Sequence, residues 1–375
     1  MKPESLRTDL GSWDIGPYHG ALPGPMRLSL KLDGEVIVSG TVETGFLHRG
    51  LEKAFEQNSW RSSVAYADHL DPEGAVFGEL ALCLAVEEIA SIEVPVRAQA
   101  IRVLLAELTR ISGHMGYIVK MARAVGAETM VHYVLRDRER VLDLFELLTG
   151  ARFSLNFLRF GGVKADVTEG FIERVLEVCE LIRIRIKEYN DLFTFNHSFL
   201  RRTAGVGVIS LESIHRLGIT GPCARASGET LDVRKTDPYS GYEKLDFNVP
   251  VGRGEGGEVG DAHDRFLIRL REVAESVEML KQAADMMPKG GFTQLDASQE
   301  FNVPAGEAYS RIESSRGLLS CHVVSDGKHR PSRIQFKTPT TPLLEVVPEI
   351  VQGVRIEDLP VVLASLDLGI AEADR

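Results

Sequence analysis

From Pro72 to about Asn190, apolar residues recur at spacings of three and four, and this long helical period is what most constrains the fold. Leu80, Cys83, Leu84 and Val86 begin a helix that ends before Pro95. Pro95 suits a first helical position, where a missing N–H costs nothing. Ile101, Leu104, Leu105, Leu108, Ile111 and Met115 follow it. Val141, Leu144, Phe145 and Leu148 repeat the theme up to Gly150, and Phe171, Val175, Val178, Leu181, Ile182 and Ile186 form another amphipathic stretch. A last long helix is predicted over about 261–287, carrying Leu267, Leu270, Val273, Val277, Leu280 and Ala284. Long helices joined by short loops bury their apolar stripes against one another as a bundle.

The flanks differ. Met26, Leu28, Leu30 and Leu32 alternate with polar residues, Asp33-Gly34 follows, and Val36 and Val38 alternate again. Period-2 patterning around Asp-Gly predicts an antiparallel hairpin with strands over 26–32 and 35–42. A short helix is expected near 51–58. Residues 203–260 lack periodicity and are rich in Gly, Asp and Pro, which suggests ordered loop lying on the bundle. Strand signals return over 308–312, 318–324 and 333–336, and two short helices are expected near 342–350 and 357–364. The expected class is mainly α (α+β), with small antiparallel β pieces near both termini. It divides into a hairpin region (1–50), a helical body (51–290) and a β/α region (291–375), which act as one structural unit.

Composition removes several functions. Lys and Arg number 43 against 54 Asp and Glu, a net charge of −11, which argues against binding a phosphate backbone. No uncharged apolar run approaches the ~18–20 residues of a membrane helix, and the first residues lack the apolar core of a signal peptide. Cys83, Cys179, Cys223 and Cys321 are scattered, with no C-x-x-C pair, so a zinc or cluster site on this chain is not expected, and the compartment should be reducing. Gly252-Arg253-Gly254-Glu255-Gly256-Gly257 has no strand before it and carries acidic neighbours that would repel a pyrophosphate, so it is expected to be a flexible loop. No H-E-x-x-H or G-x-S-x-G occurs, and His114 and His132, inside helical stretches, are expected to be packed or capped.

Three segments carry more information: Gly16-Pro17-Tyr18-His19, Gly45-Phe46-Leu47-His48-Arg49-Gly50-Leu51-Glu52-Lys53, and Ser365-Leu366-Asp367-Leu368-Gly369-Ile370-Ala371-Glu372-Ala373-Asp374-Arg375. With Ile92-Glu93-Val94-Pro95, Arg136-Asp137-Arg138-Glu139, Gly150-Ala151-Arg152-Phe153, Gly218-Ile219-Thr220-Gly221-Pro222, Arg225-Ala226-Ser227-Gly228 and Val324-Ser325-Asp326-Gly327, they run nearly the whole chain. In these residues the sequence resembles the D-type (49-kDa) subunits of respiratory complex I, the NADH:quinone oxidoreductase. That family descends from the large subunit of nickel–iron hydrogenases. The hydrogenase branch holds its metal through paired C-x-x-C motifs, and this chain has neither, so hydrogenase activity is excluded.

The resemblance implies a peripheral-arm subunit with a hydrogenase-type helical fold and no cofactor of its own. Quinone would be the substrate, with NADH and the iron–sulfur clusters on partner subunits. It further implies a cluster-bearing partner, a C-type peripheral partner and a membrane quinone-channel partner, at the cytoplasmic face of the bacterial inner membrane. The site departs from the family pattern. The positions that would bind or support the quinone head group carry Pro23, Pro72, Ala124 and Leu155. Tyr18, His19, Tyr66 and His69 are the polar candidates left nearby, and His48 and Arg49 belong to the turn the family places near the cluster. Two readings follow. Either the cavity uses substitute residues, or the chain is a same-fold scaffold that has lost direct quinone chemistry.

Overall fold

A computed structural model describes residues 10–295 and 301–375. Its axis is one helix of 29 residues, Val96–Ala124, buried on every side from Ile101 to Val119. Helices Ala75–Ala90, Glu128–Thr149, Phe171–Tyr189 and Ala262–Asp285 are the other long elements of the body. Because this stretch of the central helix has no solvent face, its charged residues must find partners inside the protein. Arg102 forks onto Glu87 at 2.9 and 2.5 Å, Arg110 donates to the carbonyls of Glu313 and Ser314 at 2.7 Å, and His114 Nε2 lies 3.0 Å from Glu272.

Pro95 stands one place earlier than predicted. It is the N-cap, with extended ψ, and its carbonyl accepts from the Gln99 N–H at 3.0 Å. The hairpin forms as Arg27–Asp33 and Val36–Glu43, and an unpredicted third strand, Gly11–Ile15, adds to its edge. Only Ile15 of that strand turns inward, so the sequence shows no alternation there. Met26, Leu28 and Leu30 share a core with Leu343, Val346 and Val347 of helix Thr340–Ile350, so the first strands pack on the last helices. A helix over Trp60–Asp68, begun by the Ser59 cap, is likewise unpredicted. The C-terminal sheet, Gly306–Glu313, Leu318–Ser325 and Arg333–Lys337, is an antiparallel meander, tied to helix Ala75–Ala90 where the Ser310 hydroxyl donates to Ala81 O at 2.6 Å.

Two sequence expectations are corrected. Residues 203–260 contain helices Leu211–Leu217, Gly221–Ala226 and Val233–Thr236, each too short to show a period. The Gly-rich run at 252–257 is packed rather than flexible: the Gly254 N–H donates to Asp264 at 2.8 Å, and a Cβ on Gly252 would lie 1.9 Å from Ala226 O. Its glycines serve close backbone approach. His114 is buried as expected, whereas His132 is exposed. No described helix is long and apolar enough to cross a membrane.

Gly252→Ala forces a methyl into backbone and should lower stability by about 1–3 kcal/mol or more. Gly20→Ala, with nothing within 4 Å of the added carbon, should stay within about 0.5 kcal/mol of the parent. Urea-denaturation midpoints of the two variants check this.

Candidate functional site

The three informative segments converge at one end of the central helix. Before the first hairpin strand the chain folds tightly, with Leu22 N–H donating to His19 O at 3.0 Å and Met26 N–H to Pro17 O at 3.1 Å. Gly24 then meets Ile370 so closely that a Cβ would lie 2.9 Å from its Cγ1. The Asp374 carboxylate accepts from the Gly45 and Leu47 N–H groups at 2.8 and 2.9 Å, and His48 Nδ1 lies 3.0 Å from Asp374 O. Arg49 donates to His69 O at 2.6 Å and to Ala371 O at 3.4 Å, and Arg375 donates to Glu52 at 3.0 Å. Residues 365–366 are fixed from behind: Arg265 donates to the Ser365 hydroxyl at 3.0 and 2.7 Å, and Arg269 to Leu366 O at 3.3 Å.

Between these segments lies a buried ion network centred on Arg316. The turn that carries it is set by glycine, because Gly221, at φ +72°, would bring a Cβ to 2.3 Å from Gly317 Cα. The Arg316 guanidinium pairs with Asp71, reaches Glu73 at 2.9 Å and donates to Asp367 O at 2.8 Å. Lys120, from the central helix, donates to Glu73 at 2.7 Å and to Asp367 at 2.9 Å. Asp367 caps its helix in the left-handed region, at φ 56°, a conformation Asp tolerates better than most residues. Burial works against the charges of Asp367 and Arg316. For Asp367, Lys120 and Arg316 outweigh burial and hold its carboxyl well below the usual range. For Arg316, the carboxylates of Asp71 and Asp367 do the same and raise it. Glu372 differs. Burial pushes its carboxyl up to about 7, while it bonds the Thr340 hydroxyl.

Beside this network is a cavity of about 440 Å³, lined by Pro23, Lys120, Arg123, Ala124, Leu363 and Asp367 among others. Two of the departed positions, Pro23 and Ala124, thus share one cavity. The other two, Pro72 and Leu155, line a second and much smaller one, of about 20 Å³, together with Glu73 and Ser154. Of the polar candidates, Tyr18 is 78% exposed and His19 Nδ1 accepts from the Ala21 N–H at 3.2 Å. Tyr66 packs edge-on against Phe55, and the exposed His69 has Nδ1 3.4 Å from the Ser154 hydroxyl. None of these four side chains lines the larger cavity. Lys120, Arg123, Asp71, Glu73 and Arg316 escaped the sequence reading. Position offered one signal: Lys120 precedes Ala124 by four residues, so the two stack on one helix face.

The family described as "Respiratory-chain NADH dehydrogenase, 49 Kd subunit" matches residues 124–299 and 292–375. Similar relatives cover nearly the whole chain. The D-type subunit of NADH-quinone oxidoreductase from Geotalea uraniireducens is 38% identical over 392 residues, covering 98% of this chain and 99% of the relative. D-type subunit 2 of NADH-quinone oxidoreductase from Chloroflexus aurantiacus is 38% identical over 396 residues, covering 98% and 95%. The D-type subunit from Bacillus cytotoxicus is 37% identical over 369 residues, covering 98% and 100%. The chain belongs to the 49-kDa subunit family. Among the described residues of this family member, no group of three or more His, Cys, Asp or Glu is arranged to hold a metal ion, and all four cysteines are buried free thiols.

Glu372 gives this 49-kDa-type chain a specific pH dependence. Its folded-state pKa of about 7 lies above the ordinary 4.5, so between those values the folded state binds the proton more tightly. Its contribution is fully present below about pH 4.5 and is lost as pH rises through about 7. Glu372→Gln should therefore gain up to a few kcal/mol relative to the parent between pH 5 and about 8. Thermal unfolding of both proteins across that range measures the difference, which should grow with pH.

Proposed function

We propose that this chain is the peripheral-arm D-type subunit of a complex I-type NADH:quinone oxidoreductase, forms the quinone cavity with a cluster-bearing subunit, and couples electron transfer there to proton translocation. The relatives' shared name supports the enzyme, and the cavity that joins Pro23 and Ala124 beside a buried ion network carries the site. The chain itself would hold no cofactor. Electrons from NADH would reach the cavity through iron–sulfur clusters of partner subunits. A C-type peripheral subunit and a membrane quinone-channel subunit would complete its contacts, at the cytoplasmic face of the bacterial inner membrane. The altered head-group positions favour a cavity that works with substitute side chains, because charged groups still face the place where Pro23 and Ala124 stand.

Arg49 is assigned to the cluster side of this cavity. A fixed cation beside a cluster favours its reduced state, and Arg49 is fixed by the carbonyls of His69 and Ala371. In membranes bearing the assembled complex, NADH:quinone activity should be abolished by head-group inhibitors. Inhibitor-insensitive quinone reduction would favour the scaffold reading instead. Arg49→Met should slow quinone reduction several-fold while assembly survives, and an unchanged rate would remove Arg49 from the site.

A further inference from the structure

We infer that Lys120 is the head-group ligand of the altered cavity, donating to an oxygen of the electron acceptor in place of the side chains absent at Pro23 and Ala124. This rests on the quinone-cavity reading and names the residue through which it works.

The geometry supplies what the two lost positions cannot. Proline has no side-chain donor and alanine no polar atom. Lys120 lines the same cavity and stands one helical turn from Ala124, so its side chain rises from the face on which Ala124 sits. An ammonium carries three N–H donors. Glu73 takes one at 2.7 Å and Asp367 another at 2.9 Å, which leaves one. Both members of this ion pair line the cavity, and the Lys120 side chain is the more open of the two, 30% exposed against 1% for Asp367. The two carboxylates also hold it in place, and a ligand residue positioned by its own hydrogen bonds loses little freedom on binding. Arg123, exposed on the same lining, adds a second cation.

The charge state suits an acceptor that becomes anionic. Burial pulls against the Lys120 charge, and Asp367 and Glu73 outweigh it, so the group stays an ammonium throughout neutral pH. Reducing a quinone to the quinol takes two electrons, which NADH supplies through the complex, and two protons, which come from water. Lys120 keeps its own proton. It stabilises the oxyanion that forms when electrons arrive before protons, a fixed charge aimed at developing charge. A hydrogen bond from a charged donor is the stronger class, so removing it should be visible in affinity for the acceptor.

The test uses membranes carrying the assembled complex, a decyl-chain benzoquinone as acceptor, and ferricyanide as an acceptor that bypasses the cavity. Lys120→Met should raise KM for the benzoquinone about tenfold or more, with the ferricyanide rate unchanged. Lys120→Arg, which keeps a charged donor, should recover most of the loss. Where Lys120→Met does not assemble, shown by a lost ferricyanide rate, the double variant Lys120→Met with Glu73→Gln carries the same test, because it also removes one of the carboxylates that the ammonium pairs. A KM unchanged within about twofold in the charge-free variant that assembles overturns the assignment of Lys120. Absence of inhibitor-sensitive quinone reduction in the parent complex is a separate failure, and it overturns the quinone-cavity reading itself.

Discussion

The structure around the site depends on one buried guanidinium. Arg316 is almost wholly inside the protein, and its partners come from the 71–73 turn and the 367 cap, with Lys120 of the central helix bridging Glu73 and Asp367. Burying these ions costs several kcal/mol each, and only close pairing offsets it. Each segment is therefore held where the others need it. Removing Arg316 would leave three carboxylates short of a partner, and losses of that kind run to about 3–5 kcal/mol. The network does not add much stability over an apolar core. Its effect is to define a single arrangement of segments that lie far apart in sequence.

The helical body makes that arrangement available. A central helix buried on every side over most of its length forces its own charges to pair inward, and the pairing continues from the buried Arg102–Glu87 near one end to the half-buried Lys120 with Asp367 near the other. Close backbone approaches then set the reach. Gly221 against Gly317 lets the Arg316 turn sit deep, and Gly24 against Ile370 brings the pre-strand segment onto the C-terminal helices. Two glycine contacts thus decide where an arginine and a cavity wall stand.

Much of this fold was legible in the sequence. The long helices, the Asp33-Gly34 hairpin and the C-terminal meander all follow period and turn chemistry, because each is long enough to repeat. What escaped was short or irregular. Strand Gly11–Ile15 has one inward residue, and the three helices within 203–260 are only 4–7 residues long. The candidate site was legible as segments that meet and not as side chains. The turn at 45–49 and the residues from 365 onward do meet, but Lys120 looked like any lysine in a helix, since its importance lies in Glu73 and Asp367, 47 and 247 residues away. Sequence spacing carries no trace of such pairings.

The cap that Asp374 places on Gly45 and Leu47 has a consequence in time. Its acceptor lies 327 residues downstream of Leu47, so during synthesis the turn is made early and waits for its partner until residue 374 has emerged. Closing a loop of that length has an entropic cost that grows only slowly with length, so the delay is set by the ribosome more than by the polymer. The helical body, rich in local contacts, can form first. A nascent chain arrested before residue 360 would hold the bundle without the wall that Leu363 and Asp367 give the proposed cavity.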